Sequence, residues 1–212
     1  MFLFYLYVCS MEQKLKSEQT QQLIIDTSFQ LFYKDGFQST SVNQIMKATS
    51  LTKGAFYHHF KDKREIGVAV INQIVFDRIH KNMILPLQQE GDAIEILKDI
   101  FTKKIRTFTD YEKEKGCPAN NLINEIGSAE ESYQNALRDI IDQWTSAIEA
   151  VIERERKKGT IKENTDSKAV GTFLVSAFEG VRGLRKLYHD DAILELYLVG
   201  VSTYLDQLRY SS

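Results

Sequence analysis

The chain has 212 residues, 43% of them apolar, with 11 glycines, two prolines, two cysteines and a formal net charge of −2. That length and apolar fraction support a substantial core; two cysteines exclude a disulfide framework, and scarce proline beside frequent Ala, Leu, Ile, Lys, Glu and Gln predicts an all-α protein. A net charge near zero would argue against nucleic acid, but the charge is uneven: residues 1–64 hold eight Lys/Arg against five Asp/Glu, and the remainder holds 19 against 24. A basic N-terminal end on an acidic body orients a molecule toward a polyanion.

The opening MFLFYLYVCS is apolar from Phe2 to Cys9, far short of the ~20 residues a membrane helix needs. It also lacks the charged start and small-residue cleavage site of a signal peptide. Residues 1–16 are expected to form a flexible tail, with Met11 opening a soluble, cytoplasmic chain whose Cys9 and Cys117 stay reduced. A first helix is predicted over about residues 17–34, with Leu23, Ile24, Thr27, Phe29, Leu31 and Phe32 as its apolar stripe. Gly36 stops it, and Phe37 should fold back on Phe32.

Residues 41–63, SVNQIMKATSLTKGAFYHHFKDK, read as two short helices around a polar turn. Ser41 with Gln44 is a capping-box pair that starts the first, which carries Val42, Ile45 and Met46 inward. Thr52 caps the second, which buries Ala55, Phe56 and Phe60. Its outward positions are Thr52, Lys53, Gly54, Tyr57 and His58, followed by Lys61 and Lys63. Lysine supplies charge to phosphate, hydroxyls supply hydrogen bonds, and glycine lets backbone approach closely. With Ser41, these are the candidate contacts to double-stranded DNA, and a solvated surface helix is the bland alternative.

The segment resembles the N-terminal domain of TetR/AcrR-family transcriptional regulators. The matching residues are Thr40-Ser41-Val42, Ile45, Thr52-Lys53-Gly54, Phe56-Tyr57-His58-His59-Phe60 and Lys63. The turn departs from the family pattern, since Thr49-Ser50 stands where members commonly carry Ala-Gly. If Ser50 is left-handed, the cost is on the order of 1 kcal/mol. The resemblance implies a helix-turn-helix domain over residues 17–63 and a ligand-sensing and dimerisation domain over 64–212. It also implies a DNA-binding transcriptional regulator, a repressor released from its operator by a small-molecule inducer.

A linking helix is predicted from near Asp62 until Pro86 ends it, with Ile66, Val70, Ile71, Ile74, Val75 and Ile79 apolar. Gly91-Asp92 opens another, carried through Ile105 and Phe108 to the charged stretch Tyr111 to Lys115. Gly116-Cys117-Pro118 marks a new start, a break falls near Gly127-Ser128, and Tyr133 to Arg156 continues helical until Gly159. The last two helices, over residues 165–188 and 191–208, are apolar around so much of their circumference that they need partners on two sides. They suit a four-helix bundle with a second copy, with Gly171, Gly180, Gly183 and Gly200 allowing close approach, and the resemblance likewise implies a homodimer. One short helix reads too few base pairs alone, so paired heads on a pseudo-palindromic operator are expected.

No phosphate-binding loop, metalloprotease motif or other catalytic constellation occurs, and His58, His59, His80 and His189 make no convincing metal site. Neither an enzyme nor a cofactor is therefore expected. Polar or aromatic residues on apolar helices offer an inducer pocket: Arg106, Tyr111, Asn121, Asn124, Tyr133, Trp144, Glu179 and Arg182. Trp144 equally suits a core, and Glu179 with Arg182 an intrahelical pair. Cys117, at a helix N-terminus, should have a depressed pKa and react with electrophiles or oxidants. A branch of the resembled family responds through such a cysteine, and there Lys186 matches a lysine that can neighbour it. A buried, inert thiol is the alternative, and a protein-binding scaffold is the alternative to a DNA reader.

Overall fold

The structure, a computed structural model, describes residues 2–210, with side chains from Met11 onward. Met1, at the start of the expected tail, and the side chain of Cys9 lie outside the described residues. Among the described residues the regular elements are helical, with one isolated bridge between Ile161 and Arg209. The chain divides into two compact units, residues 1–74 and 75–212.

In the first unit, α1 runs Phe2–Asp35, beginning well before the expected residue 17. No glycine or proline interrupts residues 2–35, so nothing local breaks the ladder. Its packed face is Ile24, Ile25, Phe29, Phe32 and Tyr33, while Leu23, expected inside, is exposed. The helix stops at Gly36, whose φ of 91° suits a residue without Cβ and whose amide donates to the Phe32 carbonyl at 3.0 Å. Phe37 then folds back, its ring centroid 4.7 Å from that of Phe32. Next come α2 (Val42–Thr49), α3 (Lys53–His59) and α4 (Lys63–Val70). The unit reaches past the expected boundary at residue 63 because Ile66, Val70 and Ile71 belong to its core with Ile45 and Phe56.

The predicted linking helix is not uniform. After α4 the backbone widens into a π segment, Ile71–Val75, narrows for α5 (Phe76–Ile79), and widens again over His80–Ile84. A 3-10 turn, Leu85–Gln88, holds Pro86 near its start. Widened turns of this kind occur often at functional sites.

The second unit continues with α6 (Ala93–Arg106), capped by Asp92, and α7 (Asp110–Lys115). The apolar spacing predicts one continuous helix here. The Thr109/Glu112 capping box separates them, with the Thr109 amide donating to Glu112 at 3.1 Å. Then follow α8 (Pro118–Ile126), α9 (Glu131–Lys157), α10 (Ser167–Tyr188) and α11 (Ala192–Gln207). The core centres on Trp144 of α9. Its ring stacks on Phe101 at 6.1 Å, and Phe178 of α10 sets its edge toward both. Gly171 permits this packing, since a Cβ there would stand 3.0 Å from the Thr145 carbonyl oxygen.

Candidate functional site

The first candidate site is the outer face of α3. Ser41 fixes the start of α2 reciprocally: its hydroxyl accepts from the Gln44 amide at 3.2 Å, and its own amide donates to the Gln44 side chain at 2.7 Å. Ser50 ends that helix at φ 56°, ψ 24°, in the left-handed region. Thr52 then starts α3 by accepting from the Ala55 amide at 3.2 Å. Phe56 is fully buried and Phe60 nearly so, which turns Lys53, Gly54, Tyr57 and His58 outward, all exposed. A Cβ on Gly54 would meet nothing within 4 Å, so that stretch of backbone is open to an approaching surface. His59, half-buried beside His58, has its pKa lowered by burial and by that neighbour's charge. The free amides of the first turn, a lysine and a tyrosine hydroxyl together form a face suited to phosphate and groove edges.

The two downstream lysines differ. Lys61 is exposed, its ammonium 3.8 Å from Glu65. Lys63 is half-buried: its ammonium lies 4.3 Å from the centroid of the Phe37 ring and 3.4 Å from the Gln38 carbonyl oxygen.

The second candidate site is a cavity of about 50 Å³ inside the second unit. It is lined by Val75, Arg78, Ile79, Asn82 and Met83 from the interrupted helix, Lys104 and Phe108, the α8 start Cys117–Ala119, Trp144, and Phe178, Glu179 and Arg182 of α10. Arg182 is buried; its Nη2 donates to the Gly116 carbonyl at 2.9 Å and its guanidinium lies 4.3 Å over the Phe108 ring. Lys104 donates to the Asn82 side chain at 3.1 Å. Its pKa is lowered by burial and by the charges of Arg78 and Arg182, against the pull of Glu112. Burial raises the Glu179 pKa despite Arg182 nearby. Three buried polar atoms on this wall, Trp144 Nε1, Glu179 Oε2 and Arg182 Nε, have no hydrogen-bond partner. Such atoms inside a protein are uncommon and costly.

Cys117 does cap α8, but its thiol is the reverse of the expected one. Burial and the Glu179 carboxylate push it up to about 12, outweighing Arg182 and the first-turn amide of Asn120. The helix terminus is a local effect, and desolvation in the folded core overrides it.

Comparison with known proteins agrees with both halves. Residues 24–70 match the family described as bacterial regulatory proteins, tetR family, and residues 93–199 match the tetracyclin repressor-like C-terminal domain. The chain belongs to the TetR family. An uncharacterised HTH-type transcriptional regulator of Lactococcus lactis is 30% identical over 134 residues, which span 61% of this chain and 66% of that protein. The HTH-type transcriptional repressor DhaR of Mycobacterium sp. strain GP1 is 22% identical over 85% of this chain and 89% of its own length. Among solved structures, a TetR-family regulator from Cytophaga hutchinsonii superposes with a TM-score of 0.82 at 18% identity, over 93% of this chain and 98% of that one.

In this TetR-family transcriptional regulator, Thr52, Lys53, Gly54, Tyr57 and His58 of the predicted DNA-contact residues lie on α3 or its cap, Ser41 caps α2, and Lys61 and Lys63 follow around the start of α4. Only part of the predicted pocket comes together. Trp144, Glu179 and Arg182 line the cavity with Cys117. Arg106, Tyr111 and Asn124 are exposed, and Asn124 bonds Asn120 at 3.2 Å. Asn121 donates to the Lys115 carbonyl at 2.8 Å, which fixes the bend around Gly116. Tyr133 is buried in α9 and lines no part of the cavity. Lys186 is exposed, and its stem passes Gly116; the charges acting on the thiol are those of Glu179 and Arg182. Sequence reasoning passed over Arg78, Asn82 and Lys104. Arg78 and Asn82 stand four residues apart, a spacing that brings them together on one face, and the Asn82 side chain donates to the Arg78 carbonyl at 2.6 Å.

Proposed function

We propose that the protein is a repressor that binds a pseudo-palindromic operator as a homodimer and leaves it when a small molecule occupies the cavity of the second unit. The observation that carries the ligand half is the set of unpartnered buried atoms on Trp144, Glu179 and Arg182 around one space. A core built for stability alone would pair them or replace them with apolar groups. Cavity residues from Val75 to Met83 belong to the twice-widened helix, whose geometry is a natural element for a ligand to bias.

Homodimerisation is supported by the last two helices. Phe173, Leu184, Leu187, Leu196 and Val199 are exposed, and a Cβ at Gly180, Gly183 or Gly200 would meet nothing within 4 Å. A large apolar surface of this kind marks an interface. A buried, protonated thiol at Cys117 favours reversible binding over covalent sensing. DNA and inducer must weaken each other's binding by the same factor. The test is a mobility-shift titration on DNA upstream of the protein's own gene, followed by screening small molecules for release. Binding that no compound reverses would remove the inducer half, and absence of binding would remove the repressor half.

A further inference from the structure

The cavity also limits what it can hold. We infer that the ligand is a small organic carboxylate, its oxygens received by Arg182 and Trp144 and its short apolar body lying against Ile79 and Phe108. This rests on the reading of the cavity as a ligand site.

Two of the three unpartnered buried atoms, the indole N–H of Trp144 and the Nε–H of Arg182, are donors, so unpartnered donors outnumber the one carboxyl oxygen, Glu179 Oε2. Arg182 has its other guanidinium branch fixed on the Gly116 carbonyl and its plane over Phe108, which orients the free donor in advance of binding. Three cationic side chains, Arg78, Lys104 and Arg182, line the space against one carboxyl, Glu179. Arg78 is paired with Glu112 at 2.7 Å, leaving Lys104 and Arg182 as the charges a ligand would meet. The first turn of α8 also borders the cavity, and a helix N-terminus favours negative charge.

Glu179 is the one group that could instead select an amine. Burial raises its pKa, which weakens its pull on a cation relative to an exposed carboxylate. Charge-assisted bonds from fixed donors are roughly twice as strong as neutral ones, so the charge of the ligand should decide affinity more than the shape of its tail.

Trp144 is the sole tryptophan of the chain and sits on the cavity wall, so its fluorescence reports occupancy directly. The test titrates the full-length protein with propionate, isobutyrate and benzoate, each beside its amide and its amine. At least one carboxylate should quench or shift Trp144 saturably, with a Kd at least about tenfold below those of its amide and amine. Arg182→Gln should remove that preference. Should this variant fail to fold, Lys104→Met, at a half-buried position, should reduce it. An amide or amine that binds as tightly as its carboxylate, or no saturable response to any carboxylate, overturns the inference. Operator release by a neutral or cationic compound that also perturbs Trp144 would overturn the carboxylate assignment while sparing the repressor reading.

Discussion

The ammonium of Lys63 lies 4.3 Å from the centroid of the Phe37 ring. That contact separates two lysines that the sequence ranks alike. Lys53 stands exposed on α3, whereas Lys63 joins the first residue of α4 to the bend after α1. Lys53→Ala should weaken binding to every DNA sequence and reduce the salt-dependence slope by about one. Lys63→Ala should in addition destabilise the first unit by about 0.5–1 kcal/mol through the lost cation–π contact. Thermal denaturation beside salt-dependent binding isotherms separates the two; equal effects on both measurements would contradict the distinction.

Ser50 carries a left-handed backbone, with φ 56°. Ser50→Gly should therefore raise stability by up to about 1 kcal/mol, the relief of the left-handed conformation less glycine's greater unfolded-state entropy. Chemical denaturation measures this. A destabilised glycine variant would show that the turn is held by interactions of the serine side chain.

Cys117 should resist alkylation. With the thiol at about 12 instead of 9.0, its thiolate fraction at pH 8 falls on the order of 10³-fold, and N-ethylmaleimide should react correspondingly more slowly with folded than with denatured protein. The folded pKa is raised, so the associated stability is whole below pH 9 and declines as pH climbs toward 12. The stability of the wild type relative to Cys117→Ala should fall over that window. Rapid alkylation of the native protein at neutral pH would restore a sensing role for the thiol.

Leu187 and Leu196 are 70% and 69% exposed. Replacing either with Glu should shift the protein to monomers in sedimentation and weaken operator binding, while helical content measured by circular dichroism is unchanged. Variants that remain dimeric would move the interface away from these helices.

Much of the reading head was legible in the sequence because its signals are local. A capping box at Ser41, a threonine cap at Thr52 and a glycine stop at Gly36 each act through neighbours within four residues, and the structure has all three. The widened turns at Ile71–Val75 and His80–Ile84 have no such marker, since no glycine or proline falls between residues 68 and 85. The cavity was legible only in part for a related reason. Glu179 and Arg182 stand out against apolar neighbours and Trp144 as the sole tryptophan, but which polar residues converge depends on helix packing. The Thr109 cap starts a separate helix between Arg106 and Tyr111, and both side chains are exposed. Cys117 illustrates the same limit: its place at a helix start is written in Gly-Cys-Pro, while its burial against Glu179 belongs to the tertiary fold.

A nuclease footprint of the full-length protein on DNA upstream of its own gene tests the repressor reading most directly. It should show one protected pseudo-palindrome, with half-sites about one helical turn apart, that weakens as salt rises and disappears when a ligand occupies the cavity. Protection independent of sequence, or none at low salt, would contradict it.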